Sequence, residues 1–150
     1  MPRFLSQSQH SLATAVLDRL IPRQSEMPGA GEVGTADYLD GIAAGSAQLA
    51  RLFSGGLQDI EIAAARLGSE FEELNGDQQD DVLRGVEADS TQFFDLLVRH
   101  TYNGYYSNPK VVELLGLDPR PPQPRGNRVE RGDLSSLQVV VERGQAYRDA

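Results

Sequence analysis

Apolar positions recur at helical spacing from the beginning of the chain. Leu12, Val16, Leu17, Leu20 and Ile21 form one stripe, which predicts a first helix over 11–20. Pro22 closes it, because its ring and missing N–H cannot continue the ladder. The stretch 25–34 carries three glycines and a proline in ten residues and predicts a loop. Thr35 stands where a second helix needs a cap, with Asp37 complementing the positive end of its dipole. That helix points Tyr38, Leu39, Ile42, Leu49, Leu52 and Phe53 inward and is expected to stop at Gly55-Gly56.

The pattern predicts a third helix over 58–67, with Ile60, Ala64 and Leu67 on one face and Gly68 ending it. Phe71 and Leu74 read as a short turn before Asn75-Gly76. Asp77 is expected to cap a fourth helix carrying Val82, Leu83 and Val86, and Ser90 a fifth carrying Phe93, Phe94, Leu96, Leu97 and Val98. The fifth is expected to fray near Asn103-Gly104, and a short helix follows over 109–115 with Asn108 as its cap.

Beyond residue 118 the pattern changes. Four of the eight prolines fall in 119–124, which reads as an extended polyproline-type arm. Residues 125–133 are polar. A last helix over 134–147, capped by Asp133, competes with the β-branched run Val139-Val140-Val141. Strand-type alternation is missing before residue 134. The expectation is an all-α fold: an irregular bundle of about six helices over 1–118, followed by a proline-rich arm over 119–150.

Composition narrows the function. The 150 residues include no cysteine, which excludes disulfides, thiolate metal sites and cysteine nucleophiles. The net charge is −8, with no basic stripe to replace counterions on phosphates, so nucleic acid is not an expected partner. The charge is uneven: 18 acidic and 8 basic residues over 1–118, against 4 and 6 over 119–150. No apolar signal core, twin-arginine pair or membrane-spanning run is present, so the chain as written is expected in the cytoplasm, or in the periplasm if a partner carries it there.

Catalytic motifs are sparse. The glycine-rich stretch 27–34 follows no predicted strand and lacks the lysine of a phosphate loop; the single lysine is Lys110. His10 and His100 stand ninety positions apart, in no metal-ligand spacing. His100 either packs at a helix end or serves as the base of a small stand-alone enzyme. The carboxylate pairs Glu72-Glu73, Asp80-Asp81 and Asp37…Asp40 read as caps and solvated faces. No catalytic, metal or cofactor residue is assigned. One segment stands out: three of the five tyrosines lie within 102–106, followed by Ser107, Asn108 and Pro109. Large stiff rings with hydrogen-bonding tips suit a protein contact, or they simply cover the end of the bundle.

An ordered set of pieces carries a resemblance. Leu20-Ile21-Pro22 ends the first helix, and Met-Pro-Gly-Ala-Gly-Glu-Val-Gly at 27–34 leads to Tyr38 and Leu39. Gly-Ser-Glu-Phe at 68–71, Gln78-Gln79, Phe93-Phe94 and Thr-Tyr-Asn-Gly-Tyr-Tyr-Ser-Asn-Pro at 101–109 follow in order. Over about 8–124 the chain resembles the small (third, gamma) subunit family of gluconate 2-dehydrogenase. The resemblance implies a non-catalytic accessory subunit of a large FAD-dependent dehydrogenase of the glucose–methanol–choline type, which oxidises a sugar or sugar acid and passes electrons onward to a carrier. FAD would then belong to the partner, and this chain would hold no cofactor. The resemblance implies a contact role for Tyr102, Tyr105, Tyr106, Ser107, Asn108 and Pro109, and the proline-rich arm with Pro121, Pro122 and Pro124 either extends that contact or lies free in solvent. A helical chaperone for export or folding of a client is the alternative accessory role. Many members begin with a twin-arginine signal, which this sequence lacks.

Overall fold

The computed structural model describes residues 4–120, 126 and 132–144. Its elements are α1 (Gln7–Leu20), α2 (Thr35–Ala44), α3 (Ala47–Arg66), α4 (Gly76–Asp89), α5 (Thr91–Tyr106), α6 (Pro109–Leu114) and α7 (Gln138–Arg143), with 3-10 turns at Phe71–Glu73 and Ser135–Leu137. The fold is an all-α irregular bundle. The chain divides into two compact units, Met1–Pro119 and Arg120–Ala150.

Local chemistry sets the ends of the helices in the first unit. α1 begins at Gln7, four residues earlier than the apolar stripe suggests. Ser6 and Gln9 form a capping box there, each side chain bonding the other's backbone N–H. Asn75 and Gln78 do the same for α4, so the cap is Asn75 and Asp77 sits in the first turn. Gly34 takes the N-cap position of α2 in a left-handed conformation (φ 79°), and Thr35 is the first helical residue, buried. Ser90 does not cap α5 with its side chain; its Oγ donates to Asp59 at 2.9 Å.

The long second helix of the sequence pattern is two helices. The break falls at Gly45 and Ser46, where Ser46 Oγ accepts from Leu49 N at 3.3 Å and starts α3. Gly55-Gly56 do not end a helix; both lie inside α3. Gly56 is buried, and a Cβ there would overlap the Phe93 ring of α5. It is a contact point between helices, and its missing side chain lets the ring in.

The core gathers Val16 and Leu17 of α1, Leu39 of α2, Ile60 of α3, Val82, Leu83 and Val86 of α4, and Phe93 and Leu97 of α5, with Phe71 closing it from the 3-10 turn. α3 packs on α4 and α2, and α5 packs on α2, α3 and α4. Arg19 of α1 donates two bonds to Asp80 of α4, at 2.7 and 2.9 Å. Asp40 breaks the expectation of a solvated carboxylate. It is buried and accepts from Phe4 N and Leu5 N at 2.8 and 2.6 Å, fixing the start of the described chain to α2.

In the second unit, Asp133 Oδ1 accepts from Ser135 N, the 3-10 turn follows, and α7 ends at Arg143 with Gly144 (φ 69°) as its C-cap. Every described residue from 132 to 144 is exposed. The expected helix to 147 is therefore shorter at its start, and residues 145–147 lie outside the described set, as do Pro121, Pro122 and Pro124 of the expected arm.

Candidate functional site

The loop at 25–34 and the end of α5 form one structure. Gln24 and Met27 exchange backbone hydrogen bonds around a tight turn in which Ser25 has φ 51°. Asp18 of α1 reaches the loop, its Oδ1 accepting from Gly31 N at 2.8 Å and Glu32 N at 3.4 Å. The glycines are there for close approach: a Cβ on Gly29 would overlap the Asp18 carboxylate, and one on Gly31 would sit 2.5 Å from Thr14 O. Ala30 between them is fully buried. Arg23 and Glu32 pair through two hydrogen bonds across the outside, and this hydrogen bonding lowers the carboxyl pKa of Glu32.

This geometry decides against a phosphate cradle. Such a cradle needs free backbone N–H groups. Here Gly31 and Glu32 donate to Asp18, Ala30 to Ile21 O, Val33 to Gly29 O, Gly34 to Gly31 O and Thr35 to Ala30 O. The Asp18 charge would also repel an anion.

From the other side, α5 and α6 hold the loop. Tyr105 is 2 % exposed, and its hydroxyl donates to Pro28 O at 2.8 Å. Burial raises its phenol pKa. Asn108 works twice: Nδ2 donates to Val33 O at 2.9 Å, while Oδ1 caps α6 by accepting from Lys110 N at 3.0 Å. Pro109 follows at the first position of α6, exposed, where its missing N–H costs nothing. Ser107 Oγ donates weakly to Gly104 O at 3.4 Å.

Asn103-Gly104 do not fray α5, which runs on to Tyr106. Gly104 is buried where α2 crosses, and an added Cβ would lie 2.7 Å from the Tyr38 ring and 2.9 Å from Thr35 Cγ2. The continuous helix sorts the tyrosines. Tyr102 and Tyr106, four apart, share a face. Each is about half exposed (49 %), and their rings stack at 6.0 Å with planes 9° apart. Tyr105 turns the other way and meets Tyr106 edge-on at 5.0 Å. The six residues of the segment thus divide: Tyr105 and Asn108 clamp the loop, while Tyr102 and Tyr106 present a stacked aromatic face, with Ser107 and Pro109 exposed beside it in sequence.

His100 lies more than a turn before the end of α5, packed against the rings of Tyr38 (6.3 Å) and Phe53 (6.1 Å). Its Nδ1 is buried without a hydrogen-bond partner, and burial, with Arg99 adding, lowers its pKa. Among the described residues no carboxylate is hydrogen-bonded to its ring. His10 instead meets Asp37 at 3.0 Å. Among the described residues no three His, Asp or Glu side chains gather as a metal site, and no helix is long and apolar enough to cross a membrane.

The family model for gluconate 2-dehydrogenase subunit 3 matches residues 7–117, from the start of α1 to just past α6. The chain belongs to that family. The match ends at Leu117, short of the prolines at 119–124 that the resemblance had taken in. Neither the curated proteins nor the solved structures yield a match. The family's span coincides with α1–α6 and includes both halves of the loop clamp, which lie 75 and 77 positions apart in sequence.

Asp18 escaped the sequence reading, and Asp40 was read as a solvated carboxylate although it is buried. Each is a short carboxylate on a helix that otherwise reads as core, and each binds backbone N–H groups of a neighbouring irregular segment. Asp40 lies one position from Leu39 and three from Ala43, both buried, and that placement was the available signal.

Proposed function

We propose that this chain is a non-catalytic accessory subunit that binds and stabilises a large FAD-dependent dehydrogenase of the glucose–methanol–choline type, acting on a sugar or sugar acid. Membership of the gluconate 2-dehydrogenase subunit 3 family carries the reading. The stacked, exposed Tyr102 and Tyr106 support it by offering a partner rigid apolar area at low entropic cost. FAD, in this reading, is held by the large subunit, and electrons leave through a further carrier.

Co-expression with a large flavoprotein subunit encoded beside it is the test. The expected product is a yellow complex that oxidises sugar and contains this chain in fixed stoichiometry. Tyr102→Ala with Tyr106→Ala is expected to lower the melting temperature of the isolated chain only by a few degrees, through the lost ring contacts, and to weaken the complex by about tenfold or more, the range of an aromatic hot spot. A wild-type chain that stays monomeric beside the flavoprotein would refute the reading. A chain needed for the flavoprotein's yield yet missing from the purified enzyme would assign the chaperone role instead.

A further inference from the structure

A second surface lies at the other end of α5. α3 and α4 leave a furrow of about 480 Å³ between them, and a second of about 370 Å³ shares Asp59, Asp89 and Ser90 with it. Val82 and Val86 form part of its floor and are buried. Ile62 and Leu67 also line it, but at 45 % and 50 % exposure they keep much of their apolar area in water. The rim is acidic, with Asp59, Asp81 and Asp89 against Arg66. Asp81 has a partner in Arg84 and Asp59 in Ser90, whereas Asp89 has no ion pair among the described residues. Gly85 also lines the furrow, and a Cβ there would meet nothing within 4 Å. A glycine inside a helix weakens it, and no packing among the described residues requires this one.

We propose that the α3–α4 furrow is a second docking site for the large subunit and takes an amphipathic helix flanked by lysine or arginine. The inference rests on the accessory-subunit reading and names where and by what chemistry the partner is held. A groove between two helices, apolar below and charged above, is the shape that receives a helix. Charge selects the occupant. Residues 1–118 carry 18 acidic and 8 basic side chains, so basic flanks are drawn to the rim and acidic ones repelled. The same argument disfavours a second copy, because a two-fold contact would set one acidic rim against another. Gly85 lets the incoming backbone come close. The furrow borders the start of α5 and the stacked tyrosines its last turns, about 20 Å away at 1.5 Å per residue. The partner would therefore grip the subunit at two separated points.

The experiment uses the co-expressed complex, with affinity measured by titrating purified subunits and amide exchange followed on both. Ile62→Asp places a charge on the apolar wall, Gly85→Leu fills the furrow, and Asp89→Arg reverses a charge of the acidic rim. All three positions face solvent or open space, so thermal melts of the isolated variants are expected to show a folded chain. The expected result is an affinity loss of about tenfold for each variant, with exchange protection at 59–67 and 81–90 on complex formation. Wild-type affinity in all three variants with no protection there, while the tyrosine variants still weaken the complex, would overturn this inference and leave the accessory role standing. No complex from the wild-type chain would overturn the accessory role and this occupant with it. A self-associated chain dispersed by Ile62→Asp would give the furrow to a second copy and also overturn the proposal.

Discussion

Tyr105 and Tyr106 are adjacent in sequence and do different work. Tyr105 is fixed by a hydrogen bond to Pro28 O, and Tyr106 is stacked in the open on Tyr102. Tyr105→Phe keeps the ring but leaves a buried carbonyl without its donor, so it is expected to cost about 1–3 kcal/mol in denaturant unfolding and to speed amide exchange across 28–34. The cluster itself was visible in the sequence. Its division was not, because Gly104 read as a breaker, and without a continuous helix the four-residue spacing of Tyr102 and Tyr106 has no meaning. His100 yields a prediction of a different kind. Burial disfavours its charged form, so the unfolded chain takes up a proton first as the pH falls below about 6.5. Its contribution is complete above that pH, declines on acidification toward the lower folded value, and then levels off. Stability measured from pH 7.5 to 5 is expected to fall less steeply in His100→Gln than in the wild type.

At the scale of elements, α3 holds two neighbouring glycines with opposite consequences. Gly55→Ala meets nothing within 4 Å and is expected to stabilise the chain by about 1 kcal/mol, the difference in helix propensity. Gly56→Ala drives a methyl group into the Phe93 ring and is expected to lower stability by about 1–3 kcal/mol, the usual cost of overpacking. Thermal melts of the two variants, moving in opposite directions, would check the pair. A sequence reading that treats both as a helix stop cannot separate them, since the distinction lies in what α5 brings against α3. Capping is the contrasting case. Ser6 with Gln9 and Asn75 with Gln78 are boxes written in the local sequence, and attention to them would have placed both helix starts. The cap of α6 at Asn108 was read correctly, because it too is local.

For the molecule as a whole, the apolar periodicity sufficed for an all-α bundle, since α1, α3, α4 and α5 each bury a stripe that shows in the local sequence. It gave no access to ties between distant segments, such as Arg19 to Asp80 or Asp40 to Phe4 and Leu5, which span 61, 36 and 35 positions. Charged and polar side chains carry no periodic mark of their partners. The two units also differ in substance. The first contains every buried residue named in the core, whereas Leu134, Leu137, Val139, Val140 and Val141 of the second are all at least half exposed. Removal of 120–150 is accordingly expected to leave the cooperative unfolding of α1–α6 intact, with a melting midpoint within a few degrees of the full chain, as scanning calorimetry would show. A large drop would mean that the second unit contributes to the core.

The loop clamp also has a consequence in time. Pro28 and Val33 receive their donors from Tyr105 and Asn108. During synthesis at roughly 5–20 residues per second, the loop waits several seconds between leaving the ribosome and meeting the side chains that close it. Over that interval the connection between the segments of α1 and α2 lacks the two donors that latch it. Nascent chains arrested before residue 105 should therefore be cut by protease within 25–34, and chains released beyond residue 109 should resist.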